Sequence, residues 1–216
     1  MQKYIKEPFP ALSHLVGFLL SIAGLMSLVK ASGNNNTMLI VSAVYGTSLI
    51  LLYLASALNH GIHCSPRVAH FLEQFDYCAI FLLIAGTYTP VCFLMIKGTL
   101  GWIMLGTEWM LALIGIASVI YGGLFSKINH VTVYLLMGWL FILAIVPISS
   151  NVPLTFIPWL IGGALFYSFG SVIFILDSRS KWNWHIDGHN LWHLCVLSGS
   201  VCHFIVINHL TGMVGR

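Results

Sequence analysis

The chain has 216 residues, 58% of them hydrophobic and only 7% charged, with a mean hydropathy of +0.92. That balance excludes a soluble globular domain and defines an integral membrane protein. The formal charge of +3 comes from 9 basic and 6 acidic residues scattered between apolar runs, and without a basic tract nucleic acid is excluded as a partner.

In chain order, residues 1–10 carry Lys3, Lys6 and Glu7 and no cleavage-site pattern, so the apolar run behind them reads as a retained helix that also directs insertion. Runs of about 20 apolar residues, the length a helix needs to span a bilayer, recur at 12–29, 38–58, 75–96, 102–124, 131–149, 155–176 and 189–210. The breaks hold turn chemistry: Gly33 with Asn34, Asn35 and Asn36, then Cys64 to Arg67 around Pro66, Lys97 with Gly98, Ser149 to Pro153, and Asp177 to Lys181. There is no internal repeat and no separate soluble segment, so residues 1–216 are expected to form one all-α domain, a bundle of seven transmembrane helices. Cys78, Cys92, Cys195 and Cys202 lie in the runs, Cys64 in a break, and no two form a CxxC, so no disulfide framework is expected.

Within the runs, Pro90, Pro147 and Pro158 are expected to kink or end helices, which can open room for a lipid chain. Gly162, Gly163 and Gly170 permit close helix contact. Tyr77 and Tyr88 are candidates to line a cavity. Glu108, between Trp102 and Trp109, reads as an interfacial acid near the outer end of its helix.

Basic residues set the orientation. Lys3, Lys6, Arg67, Lys127, Arg179 and Lys181 fall on one side, and Lys30, Lys97 and Arg216 on the other. Six against three puts the N-terminus in the cytoplasm and the C-terminus outside, which agrees with an odd number of crossings of the cell's inner membrane. The histidines follow the same asymmetry. His14, His60, His63, His70, His130, His185, His189 and His193 fall at or near the cytoplasmic face; His203 and His209 do not. An imidazole is costly in hydrocarbon unless it has a partner or a function.

Three spans deliver chemistry to that face. The second ends with Ser56 and His60, one helical turn apart. The third is expected to start there with Phe75, Asp76, Tyr77 and Cys78. The seventh starts with Asp187, Gly188 and His189, followed one turn later by His193 on the same helix face. Taken singly, each residue has a plainer reading: His60 at a loop edge, Asp76 paired with a basic residue, Ser56 bonded to its own i−4 carbonyl. Together His60, His189 and His193 form a candidate transition-metal site, and three neutral imidazoles suit Zn²⁺. Two arrangements fit. In an open site a water takes the fourth position, with Asp76 as general base and Ser56 holding water or a substrate oxygen. In a closed structural site Asp76 is the fourth ligand. His203, about 21 Å along the helix from His189, is too deep to share the ion and is expected to be packed or hydrogen-bonded in the bundle. His63, His70 and His185 read as exposed loop histidines.

Ser56 with His60, Phe75 with Asp76, the run AIFLLIAGTYTP from Ala79 to Pro90, His189 with His193, and Gly199 to His203 closely resemble the hemolysin III family. That family is the bacterial branch of the progestin and adipoQ receptor family, related more distantly to the alkaline ceramidases. Glu7 with Ser13, His14 and Gly17 is similar to its opening motif. The resemblance implies seven helices with a cytoplasmic N-terminus, zinc on His60, His189 and His193, and Asp76 and Ser56 beside the metal. The sequence departs from the family pattern in two places: Asn59 stands where an aromatic usually precedes the histidine, and Pro8 and Pro10 follow the first position of the opening motif.

The expected function is a zinc-dependent membrane hydrolase acting on a lipid amide or ester that reaches the site from the bilayer. The amide rests on the resemblance alone. Two other readings stand beside it: a receptor-like or sensor protein with structural zinc, and a pore-forming cytolysin, as the family name suggests.

Overall fold

Proline at the first turn of a helix costs nothing, because the N–H it lacks has no partner there. Pro8 and Pro10 therefore open the first helix, α1 (Pro8–Ser32), instead of delaying it to residue 12. The computed structural model describes residues 4–122, 130–180 and 188–215, with backbone alone for 177–180. Lys3, Lys127, Lys181, His185, Asp187 and Arg216, with the side chains of Asp177 and Arg179, lie outside the described residues.

The chain reverses at Gly33, whose φ is 54°. Asn35 then caps α2 (Asn36–Gly61), its Oδ1 accepting from the Met38 N–H at 3.1 Å. The third helix, α3 (Pro66–Val91), begins nine residues before the apolar run does. Arg67, His70, Glu73 and Gln74 break that run but not the helix, so His70 is an exposed helical residue and not a loop residue. Pro90 denies the backbone one donor, and a π-helical turn follows at Cys92–Ile96, closed by the Lys97 N–H on the Cys92 carbonyl at 2.8 Å. The whole stretch Pro66–Ile96 has 31 residues. At about 46 Å it exceeds the ~30 Å apolar layer, so its first turns have the length to stand in the interface.

Lys97 and Gly98 both take φ of 58°, a tight left-handed turn into α4 (Gly98–Tyr121). The fifth span is broken. It runs as α5 (His130–Trp139), a 3-10 turn (Leu140–Ala144) and α6 (Ile145–Asn151), which contains Pro147. A second 3-10 turn (Leu154–Phe156) leads into α7 (Ile157–Ser180), with Pro158 in its first turn, and α8 (Gly188–Val214) follows. The helix α7 continues through Asp177 to Ser180, where the sequence suggested a break. Among the described residues seven stretches are long and apolar enough to cross a membrane. The fold is an all-α bundle, and leucines and isoleucines such as Leu15, Leu19, Ile40, Leu136 and Leu165 lie exposed on its outside. It is a multi-pass membrane protein. All five cysteines are free.

Helix α1 packs against α2 and α8, α3 against α2 and α4, and α7 against α8. In a membrane such contacts rest on close packing rather than on hydrophobic exclusion, so small residues matter. Gly17 shows it: a Cβ there would sit 2.6 Å from the Tyr53 ring. Its absence lets α1 and α2 close up with Tyr53 fully enclosed and His14 edge-on against it, ring centroids 5.0 Å apart.

Glu108 departs from the expectation. Because α4 starts at Gly98 and not at Trp102, this carboxyl lies roughly 15 Å into the helix. It is 0% exposed and faces the bundle with Met104 and Ala112, so it is not interfacial. Neither carboxylate oxygen has a hydrogen-bond partner among the described residues. A polar group buried without a partner costs about 1–3 kcal/mol. Glu108→Leu, of similar volume, is therefore expected to raise the thermal midpoint of the protein in detergent, and a fall of several degrees would count against this account.

Candidate metal centre

The last carbonyls of a helix have no intrahelical partner and need capping. At the end of α2 the N-terminal segment supplies it. Lys6 Nζ donates to the Asn59 carbonyl at 3.2 Å, the Glu7 N–H to the His60 carbonyl at 2.8 Å, and the Lys6 N–H to the Gly61 carbonyl at 3.4 Å. The ammonium also complements the negative end of the helix dipole. This clasp fixes the turn that carries His60, and it brings the Glu7 carboxylate against His60 Nδ1 in a short contact.

Asp76 is reached ten residues into α3, not in its first turn as the sequence suggested. Its backbone position is nonetheless level with the end of α2. Asn59 Nδ2 donates to Asp76 Oδ2 at 3.0 Å, and the same oxygen lies 3.6 Å from His60 Nε2. From α8 come His189 and His193, with their Nε2 atoms 3.0 Å apart. The His60 ring centroid is 5.0 Å from that of His189 and 4.7 Å from that of His193, both edge-on. One ligand nitrogen from each of the three lies within 4.8 Å of the others. His60 and His193 are buried, as are Asp76 and Ser56. The structure thus brings together His60, Asp76, His189 and His193 of the residues singled out from the sequence.

The donor set fits zinc. Zn–N bonds of about 2.0–2.1 Å in a tetrahedron separate ligand nitrogens by roughly 3.4 Å. The His189–His193 spacing of 3.0 Å and the 4.8 Å outer limit bracket that figure. Two imidazole lone pairs facing each other at 3.0 Å repel unless a proton or a cation lies between them. His60, His189 and His193 could therefore coordinate a metal.

Three neighbours were not read as site residues. Metal-binding histidines as a rule give their second nitrogen to an orienting partner. Glu7 occupies that position for His60. His14 occupies it for His193, whose Nδ1 lies 3.0 Å from His14 Nε2. Asn59, noted only as a departure from the family pattern, holds Asp76. These contacts join positions 53, 179 and 17 residues apart, which no local spacing reveals. The available signal was the excess of histidine at one end of the bundle, which already included His14. Removing the Glu7 carboxylate by Glu7→Gln is expected to weaken metal affinity about 10–100-fold, read by competition with a chromophoric chelator.

Ser56 is 1% exposed and lines the cavity described below. Its hydroxyl makes no hydrogen bond among the described residues, whereas Ser21, Ser32, Thr87 and Thr89 each donate to the carbonyl four residues back. The back-bonded arrangement weighed for Ser56 is not adopted.

Beneath the cluster lies a cavity of about 970 Å³. Its lining includes Ser56, His60, Asp76, His189 and His193 at one end, and Met95, Leu160, His203 and Ile207 at the other. From His193 to Ile207 is roughly 21 Å along α8. Tyr77 and Tyr88 line it, as expected. Trp139, Ile145 and Ile161 line the cavity and are also exposed on the bundle's outside at 41%, 55% and 52%. The cavity wall on that side is formed by the broken fifth span and α7, and the exposed Pro66 and His70 line the cavity as well.

Fold and site together define a class: a seven-span membrane bundle with a histidine cluster at one end and a deep apolar cavity below it. The family described as haemolysin-III related matches residues 2–204, and the chain belongs to it. It is 37% identical to "Hemolysin-3" of Bacillus cereus over 211 residues, covering 96% of this chain and 93% of that one. It is 36% identical to "Hemolysin-3 homolog" of Bacillus subtilis (strain 168) over 206 residues, covering 94% and 93%. The human "Monocyte to macrophage differentiation factor" is 26% identical over 175 residues, covering 78% of this chain and 69% of that protein.

Proposed function

We propose that the protein is a zinc-dependent hydrolase of lipid amides or esters, with His60, His189 and His193 as metal ligands. The observation that carries this reading is the convergence of three imidazoles and a held carboxylate, with an unbonded hydroxyl one helical turn away, at one end of a large, mostly apolar cavity. Zinc in such a site supplies Lewis acidity that polarises a carbonyl and activates water near neutral pH.

The chain's own residues do the rest. Glu7 and His14 orient two ligands. Asn59 pins Asp76 Oδ2, which leaves Oδ1 to take the proton of the attacking water. As the water oxygen bonds to the carbonyl carbon, the Ser56 hydroxyl donates to the developing oxyanion. The C–N or C–O bond then breaks, and Asp76 returns the proton to the departing amine or alcohol. The cavity holds the acyl chain and excludes bulk water. The basic residues flanking the spans, six against three, support an inner-membrane protein with this end toward the cytoplasm.

Purified protein is expected to carry about one equivalent of zinc and to release fatty acid from a long-chain amide or ester in micelles. A chelator should stop the release and added zinc should restore it. Turnover that survives complete metal removal would defeat the proposal.

The 3.6 Å between Asp76 Oδ2 and His60 Nε2 favours a second reading, in which Asp76 closes the shell of a structural metal in a sensor-like protein. Chelation would then lower the melting point, with no turnover to lose.

A further inference from the structure

The far half of the cavity is not wholly apolar. His203 lines it ten residues beyond His193, roughly 15 Å along α8. As the sequence suggested, it is packed and bonded within the bundle. Its ring lies against Gly163, where any side chain would collide with it, and 5.6 Å from the Tyr167 ring, centroid to centroid. Its Nε2 faces the Leu160 carbonyl at 3.4 Å. A carbonyl only accepts, so in the neutral ring the proton sits on Nε2 and Nδ1 is left as a bare acceptor. Nδ1 has no hydrogen bond among the described residues. Beside it, Tyr167, which also lines the cavity, shares a 2.8 Å hydrogen bond with Ser200. Where Ser200 donates to Tyr167 and not to Tyr53, its other neighbour, the Tyr167 phenol hydrogen is left to donate into the cavity it lines. An acceptor and a donor side by side in a greasy channel complement one group in particular: a hydroxyl, which both donates and accepts.

We propose that His203, with the Tyr167–Ser200 pair, forms a subsite for a hydroxyl carried mid-chain on the bound lipid, some 10–15 Å from the histidine cluster. The proposal rests on the reading of the cavity as an acyl-chain site. It adds that the preferred chain is oxygenated far from its head group, because a plain alkyl chain leaves Nδ1 unpaired at membrane depth, which is costly. Nothing in this subsite touches the metal ligands, so it selects and positions the chain without entering the chemistry.

The test is binding to the purified, metal-loaded protein in nanodiscs, with three free fatty acids of equal length: unsubstituted, hydroxylated mid-chain, and hydroxylated next to the carboxyl. The mid-chain isomer is expected to bind about five- to tenfold tighter than the other two, as one net hydrogen bond gives. His203→Phe keeps a ring against Gly163 and removes the acceptor. It should erase the preference, bringing the three acids to similar affinity. Equal binding of the three acids by the wild type overturns the proposal, whether or not the variant folds, and so does a preference that survives His203→Phe. If water alone satisfies His203, the wild type shows no preference. Asp76→Ala separates the two readings: it should abolish hydrolysis and keep the preference. A preference without any hydrolysis sinks the enzyme and leaves the subsite standing, while failure of all three acids to bind sinks both.

Discussion

Replacing His193 with alanine is expected to strip the protein of its metal, from about one equivalent to less than a tenth after purification. No other ring in the cluster is so enclosed. His193 is 2% exposed, its Nε2 is 3.0 Å from His189 Nε2, and its Nδ1 is 3.0 Å from His14 Nε2. Its ring also stacks edge-on against His60. Alanine removes a ligand and also leaves His14 facing an empty space in place of its partner. Two losses follow, and they can be told apart. Loss of the metal removes the binding free energy that the folded state gains from it, on the order of several kcal/mol even for modest zinc affinity. Loss of the ring costs a further ~2–4 kcal/mol in packing. Wild type freed of zinc should thus melt between the loaded wild type and the variant. His209→Ala is the control, since that ring packs on Phe156, sixteen residues further along α8. It should keep its zinc. Metal content near one equivalent in His193→Ala would mean that the cluster is not a metal site.

How much of this was legible in the sequence depends on how local each signal is. The spans were, because a run of about twenty apolar residues is a statement about one helix and one solvent. His189 and His193 were, because their spacing is one turn. His60 joined them through an argument about which ends of which spans share a face, and the coordinates bear that geometry out. One failure came from reading polarity as the end of a helix. Arg67, His70 and Glu73 interrupt the hydropathy of α3 without interrupting its backbone, so Asp76 was set at a terminus when it lies ten residues inside. The converse error fell on Glu108. A charge near two tryptophans reads as interfacial, yet the turn at Lys97 and Gly98 starts α4 early and carries the carboxyl into the bundle. Glu7, His14 and Asn59 escaped for another reason. Each acts by holding a second residue on a different helix, and such pairing leaves no pattern along the chain.

The sharpest separation between a catalytic and a structural metal comes from Asp76→Asn. The substitution keeps the size and planarity of the side chain and removes its charge and its capacity to take a proton. Asn59 can still bond to the amide oxygen, so the local packing in which Asp76 is 8% exposed should survive. If Asp76 moves a proton, zinc content and melting point should stay near wild type while turnover falls by about 10²–10⁴, the usual contribution of a positioned general base. The loss should appear in kcat with little change in KM, since the carboxylate contributes to the transition state and not to holding the chain. If instead Asp76 closes the metal shell, the neutral amide is a poorer ligand. Zinc should then leave more readily, the melting point should drop with it, and no reaction should be found in either protein. The distances alone permit both, because one oxygen of Asp76 is 3.6 Å from His60 Nε2 and 3.0 Å from the Asn59 amide. The hydroxyl of Ser56 is the reason we propose chemistry over a structural role. A buried serine that lines a lipid-sized cavity and forgoes its i−4 carbonyl has its hydrogen free for a group that is not always there. A structural site gains nothing from that arrangement, while a site that must greet a negative oxygen does.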